Sequence, residues 1–360
     1  MFGIRLSIPW VRGRGAGLGN ELIPWARSFV IGKLIGAKCL PPAFGLNRRR
    51  YWRHFGTPRY DWLVYRALVK GLPVFHFKEE DYERAGGQDL AAAVSCFEKK
   101  HRLQERRYYA ILTEGMWGGR HHIRLAREFA RSTLYLSRFA PAKLMELQKR
   151  VIPECIVVGM HIRRGDFQSP VEDGAMEYQG RFNLALPANY YIRVALSLMA
   201  QMGKAVQFLV VSDASLNELQ PILARLPKNT ICTAGEQDTD CSDLLALADA
   251  DLIVCSISSF SLWAAFLSES PYLWFQPHLH QHSAGALSIW GFEEKQRREN
   301  SPTQRSILER LKRLDINQIR GVPIGESGAV PEYLCDYLIE RKEMMHRSGD
   351  LVLYGVAPDK

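Results

Sequence analysis

No run of 18 apolar residues occurs in the 360-residue chain, so a membrane-spanning helix is not expected. The opening MFGIRLSIPWVRGRGAGLGN lacks the apolar core and cleavage site of a signal peptide. Cysteine is scarce, with seven residues and no CxxC pair, which argues against a disulfide frame or a zinc site and for a reduced compartment. GK[ST] is missing, and the glycines of RGRGAGLGN (12–20) do not fit GxGxxG, so neither the P-loop nor the dinucleotide fingerprint is met. There is no internal repeat and no low-complexity tract.

What is present is ordinary in bulk and uneven in detail. Hydrophobic residues make up 47% and charged residues 24%, as in a globular protein. The net charge of +9 is lopsided: residues 1–150 hold 28 basic and 12 acidic side chains, and residues 151–360 hold 19 and 26. Two modules are expected, the first facing something anionic. The expected division is a basic N-terminal domain over 1–150, a nucleotide domain over 151–290 and closing helices over 291–360.

Residues 2–8 alternate like a strand, and a helix is expected over 20–36 with Asn20 as its cap and Pro24 in its first turn. Residues 41–60 read as an irregular basic loop, and 88–110 and 120–150 as helices. From 151 onward the texture changes. Uniformly apolar strands at 155–161, 206–212, 229–233, 251–256 and 271–275 alternate with helices at 189–202, 215–226, 242–250 and 259–268. That pattern belongs to a parallel sheet covered on both faces. Further helices are expected over 301–318 and 332–346.

The unusual polar sequences follow strands: HIRRGD (161–166), SDAS (212–215) and SISSFS (256–261). In doubly wound sheets that edge is where ligands bind. Arg163 and Arg164 offer planar forks that suit phosphate. Gly165 permits a tight turn, and Asp166 can brace an arginine or take a proton. Ser256, Ser258 and Ser259 precede a helix, whose free N–H groups and dipole favour an anion. Asp213 can accept donors from a guanine edge or a ribose diol, or simply cap a helix. The DxD-like pairs Asp238/Asp240 and Asp249/Asp251, and the histidines at 121, 122, 278, 280 and 282, lack metal-ligand spacing. No metal and no cofactor are expected.

Together, GLGNELIPWA (17–26), HIRRGDF (161–167), LPANYYIRVA (186–195), VVSDAS (210–215) and DLLALADADLIVCSISSFSLWAAFL (243–267) resemble the GDP-fucose-dependent fucosyltransferases, most closely the bacterial α-1,2-fucosyltransferases of glycosyltransferase family 11. The resemblance covers roughly residues 13–275. It implies an α/β, GT-B-like fold, two Rossmann-like domains facing a cleft, and inverting, metal-independent transfer to a glycan acceptor such as a surface polysaccharide or lipopolysaccharide precursor.

By that pattern Arg163 grips the donor phosphates, with Arg164 and Ser256 beside it. His161 and Asp213 face the guanosine, Ser258 and Ser259 meet the pyrophosphate, and Gly17, Gly19 and Asn20 approach the reacting sugar. The sequence departs from it at Glu21, Ala214 and Leu262. Glu21, Asp166, Glu172 and Asp173 are all open as the catalytic base. A cytoplasmic location with peripheral contact to an anionic membrane is expected, and no nucleic-acid partner. The rival reading is a non-catalytic nucleotide or anionic-glycan binding protein.

Overall fold

The computed structural model describes residues 3–10, 16–87, 89–115, 117, 120–167, 184–281, 287–288 and 320–348. The chain divides into two compact units, Met1–Arg138 and Phe139–Lys360. Both are mixed α/β units built on parallel sheets.

Unit 1 is organised on β1 (Ile4–Trp10), α1 (Leu18–Ile35), β2 (Lys38–Cys39), α2 (Trp52–Phe55), α3 (Asp61–Gly71), β3 (Val74–Phe77), α4 (Glu79–Arg84), α5 (Leu90–His101), β4 (Tyr108–Glu114) and α6 (Arg127–Tyr135). Its strands form one sheet in the order β2-β1-β4-β3, every neighbour parallel. The sheet core packs Leu6, Ile8, Ala110 and Leu112 against Tyr65 of α3.

Two expectations fail here. The helix expected over 88–110 stops at His101, and the remainder turns into β4; β3 was not foreseen at all. Arg102 sits in the left-handed region at the end of α5, at φ 51, and reverses the chain between helix and strand. The helix expected over 120–150 is broken into a 3-10 turn, α6 and α7 (Ala140–Arg150).

Unit 2 begins with α7, which joins it through ion pairs of Lys143 (3.3 Å) and Arg150 (3.5 Å) with Glu236. Next come β5 (Ile156–Ile162), α8 (Ala188–Met202), β6 (Val206–Ser212), α9 (Leu216–Leu223), β7 (Ile231–Cys232), α10 (Asp240–Asp249), β8 (Leu252–Val254), α11 (Ser259–Leu267) and β9 (Tyr272–Phe275). A short pair, β10 (His280–Gln281) and β11 (Leu287–Ser288), precedes β12 (Arg320–Ile324) and α12 (Glu332–Ser348). The main sheet runs β12-β9-β8-β5-β6-β7, parallel throughout.

Counted from β5, that order is 3-2-1-4-5-6, the doubly wound arrangement of dinucleotide-binding folds. All seven residues of β5 are buried, as a strand covered on both faces requires. Gly159 lies within it because a Cβ there would stand 2.9 Å from Ala250 and 3.0 Å from Leu247, so α10 packs tightly over β5. β12 had been expected among closing helices; it adds an edge strand beside β9 instead. The helix expected over 301–318 lies outside the described residues.

α12 is fastened to this sheet by Asp251. Its carboxylate accepts the N–H of Val157 at 2.9 Å and pairs with Arg341 at 3.0 Å and Lys342 at 3.3 Å. Asp251 is therefore structural, and among the described residues no group of histidine, cysteine or acidic side chains is arranged to hold a metal ion.

Candidate functional site

In a sheet of this order the strand directions of travel diverge between β5 and β8, and the crevice lies beyond their carboxyl ends. HIRRGD leaves β5 there and SISSFS leaves β8 there. The two sequences are joined by direct contacts. His161 Nδ1 lies 2.7 Å from Ser261 Oγ and 3.0 Å from Ser256 Oγ. The N–H of Ser256 donates to Ser261 Oγ at 3.0 Å. Either hydroxyl can donate to Nδ1 of the neutral ring, whose proton then lies on Nε2. Burial, helped by the Arg163 charge, pushes the imidazole pKa down to about 3, so His161 stays neutral.

Arg163 stands two residues beyond His161. Its guanidinium pairs with Asp213 at 2.5 Å and with Asp166, and it stacks over the Phe167 ring at 5.0 Å. Arg164 is turned the other way: its side chain donates to the Leu186 carbonyl at 2.7 Å and its backbone N–H to Asp213 Oδ1 at 2.8 Å. The two adjacent arginines thus split their work, one presenting charge and the other bracing the loop. Asp213 holds both residues, so its carboxylate is engaged by the arginine loop. Asp166 is the more exposed partner of Arg163, at 66% against 26% for Asp213.

The serine turn ends in the start of α11. Ser258 is its cap, and its Oγ accepts the N–H of Phe260 at 3.2 Å. Ser259 follows half-buried in the first helical position, with no side-chain hydrogen bond among the described residues. The remaining first-turn N–H groups point out of the helix end, where an anion is favoured. Ser215 caps α9 in a reciprocal pair with Glu218, so the end of SDAS is a helix start.

One acid escaped the sequence reading. Asp243 lies in the first turn of α10, on a helix buried from Cys241 to Ala248. Burial pushes its carboxyl up to about 7. The hydroxyls of Thr239 and Thr233, the latter just beyond β7, lie against the carboxylate and temper that rise, but neither Asp243 Oδ1 nor Thr233 Oγ1 makes a well-formed hydrogen bond. Buried polar groups left short of partners at the carboxyl edge of a sheet can be completed by a ligand or water. The available signal was an acid at the head of the apolar run DLLALA (243–248).

Unit 1 has its own polar cluster where α1 begins. The helix starts at Leu18 with Gly17 as cap, so Asn20 lies inside the first turn and is not the cap that was expected. Pro24, deeper in the helix than expected, lacks the N–H that would bond the Asn20 carbonyl, which withdraws that carbonyl from the helix ladder. A Cβ on Gly17 would meet nothing within 4 Å, so this backbone is open to approach. Leu18 donates its N–H to the Tyr51 hydroxyl at 2.8 Å. Asn47 donates to Glu21 at 2.6 Å and to the Ala16 carbonyl at 3.1 Å. Glu21 is buried beneath this clasp, which pushes its carboxyl up to about 7. Gly19 lies in the same turn. Residues 11–15 of the glycine loop, with Glu172 and Asp173, lie outside the described residues.

A doubly wound α/β unit with arginine and a serine-capped helix at its switch point is what unit 2 defines. Residues 126–273 match the sequence model of Glycosyl transferase family 11, a stretch that carries every one of these unit 2 residues. The 17–26 segment lies outside that match. No curated protein sequence matches significantly. Among solved structures the chain is similar to POFUT1 in complex with GDP-fucose (12% identity, TM-score 0.42, covering 74% of this chain and 95% of that one). It is also similar to a family 9 glycosyl transferase from Veillonella parvula (11% identity, TM-score 0.38, 76% and 81%).

Proposed function

We propose that the protein is a glycosyltransferase that moves L-fucose, or a related deoxyhexose, from its GDP derivative to a hydroxyl of a glycan acceptor, with inversion and without a metal. The observation that carries this reading is the convergence at the β5–β8 switch point. Arg163 and the capped start of α11 are tied together there through His161, Ser256 and Ser261, inside the stretch that matches the family.

The chemistry follows from the residues. When the sugar departs, negative charge grows on the diphosphate. Arg163 and the capped start of α11 at Ser259 are fixed before reaction and need not reorganise, which is the efficient way to stabilise such charge. Phosphate oxygens would take the guanidinium face that the exposed Asp166 covers, while Asp213 keeps the arginine aimed. Neutral His161 keeps the serine turn in register and adds no competing charge.

Asp243 and Thr233 supply the buried acceptors a guanine edge would use through its N1–H and N2–H₂. The acceptor hydroxyl then attacks the anomeric carbon and passes its proton to a carboxylate. Of the described candidates, Glu21 has its carboxyl raised to about 7, and Asp166 is released from Arg163 when phosphate takes its place.

Thermal-shift measurement against GDP, UDP, dTDP and CMP tests the donor class, with a selective rise for GDP expected. Release of GDP from GDP-fucose on addition of glycan, with an α-linked product from the β-linked donor, tests the transfer. Binding of GDP with no turnover across a glycan panel would favour the non-catalytic reading.

A further inference from the structure

Residues 22–78 carry eleven lysines and arginines and one acid, Asp61. That acid is buried and accepts the backbone N–H of Gly45 at 2.9 Å, so it places no negative charge on the surface. The same bond ties the turn Phe44–Leu46 to the start of α3. Gly45 is needed there because a Cβ would overlap the Arg59 carbonyl, and the Tyr65 hydroxyl donates to the Pro41 carbonyl as a further tether.

This folding brings Leu46 to the same end of α3 as Tyr60, Leu63 and Val64. These four apolar side chains stand out in solvent, exposed by 43%, 65%, 48% and 54%. Arg48, Arg49, Arg50, Arg59, Arg66 and Lys70 are exposed on the same segment. Arg50 is held in the left-handed region at φ 60, where asparagine or glycine would sit without strain.

Exposed apolar groups beside a surplus of positive charge fit one occupant best. A nucleic acid would use the arginines but leave Leu63 and Val64 in water. The headgroup and upper acyl region of an anionic bilayer takes both kinds at once. We infer that this face of unit 1, residues 46–70, docks on an anionic phospholipid surface, with Tyr60, Leu63 and Val64 entering the interface and the arginines contacting lipid phosphates. The inference does not depend on which sugar nucleotide unit 2 binds.

The test is co-sedimentation of the full chain with phosphatidylcholine vesicles, with and without phosphatidylglycerol. Pelleting is expected only with phosphatidylglycerol, and less as salt rises. Arg48→Gln/Arg50→Asn/Arg59→Gln should lower partitioning about a hundredfold, and Leu63→Gln/Val64→Gln about tenfold. Both should keep the parental melting temperature and GDP response. If either melts lower, Leu63→Trp gives a direct readout: its fluorescence should be quenched by brominated lipid. No binding, equal binding to both vesicles, no loss in the Leu63/Val64 variant or an unquenched Leu63→Trp would each overturn the inference; losing the GDP response alone would bear on the donor reading instead.

Discussion

Asp213 occupies the space that a side chain on Gly165 would need. A Cβ built on Gly165 overlaps Asp213 Oδ2, and the glycine itself stands at φ 30. The close approach lets one carboxylate hold Arg163 through Oδ2 and the Arg164 backbone through Oδ1. The turn that follows β5 is therefore shaped from the end of β6, and Arg163 is aimed by a neighbouring strand.

Gly165→Ala should accordingly weaken GDP binding about tenfold or more by pushing Asp213 off the arginine loop. Asp213→Ala should do the same, and the double variant should be no worse than either alone, because both remove one interaction. Calorimetric affinities for the three variants check this; additive losses would show that the two residues act separately.

Asp243→Asn should weaken GDP binding by about ten- to a hundredfold, the usual loss for one charged hydrogen bond. A guanine edge needs the ionised carboxylate, so wild-type affinity should rise as pH increases through about 7, where the unliganded carboxyl titrates. The stability effect runs the other way. The folded carboxyl holds its proton above the unfolded value, so its contribution is present at low pH and is lost as pH rises toward and past about 7. Melting of Asp243→Asn should therefore exceed wild type most at pH values above about 7 and converge with it only as pH falls to the ordinary carboxylate value of 3.8.

His161 makes the opposite prediction for stability. Its folded pKa lies at about 3, well under the ordinary histidine value, so its contribution is complete above that ordinary value and falls as pH drops toward 3. His161→Gln should show a flatter acid limb in thermal melts. It should also lower overall stability by about 1–3 kcal/mol, the cost of disturbing buried hydrogen-bonded groups.

In unit 1, Asn47→Ala removes the 2.6 Å bond to Glu21 and the bond to the Ala16 carbonyl. A loss of about 1–3 kcal/mol in stability is expected. Glu21 should then titrate higher still, which a shifted pH–rate profile would report if Glu21 is the base.

Unit 2 was readable in outline because its strands are buried on both faces and so appear as unbroken apolar runs; β6 was placed to the residue and β5 within one. Unit 1 was harder. VFHF is short and half-buried, so it was missed in spite of the Gly71 and Pro73 that precede it, and YYAILTE follows a charged helix with no glycine or proline between, so β4 carried no punctuation. The sequence brought the arginine and serine motifs to one edge and suggested that the two arginines divide their work, but not which contacts enforce it. That Arg164 braces while Arg163 presents charge depends on Leu186 and Asp213, which lie 22 and 49 positions further along the chain. Asp243 was hidden because an acid in an apolar helix declares its burial only in three dimensions.

The most direct test of the central claim is the dissociation constant of GDP for wild type and for Arg163→Lys, measured by titration calorimetry without metal. The account predicts binding by wild type and a loss of at least about tenfold in the variant, because lysine cannot offer a fork held between Asp213 and phosphate. Equal affinity in the two proteins would contradict it.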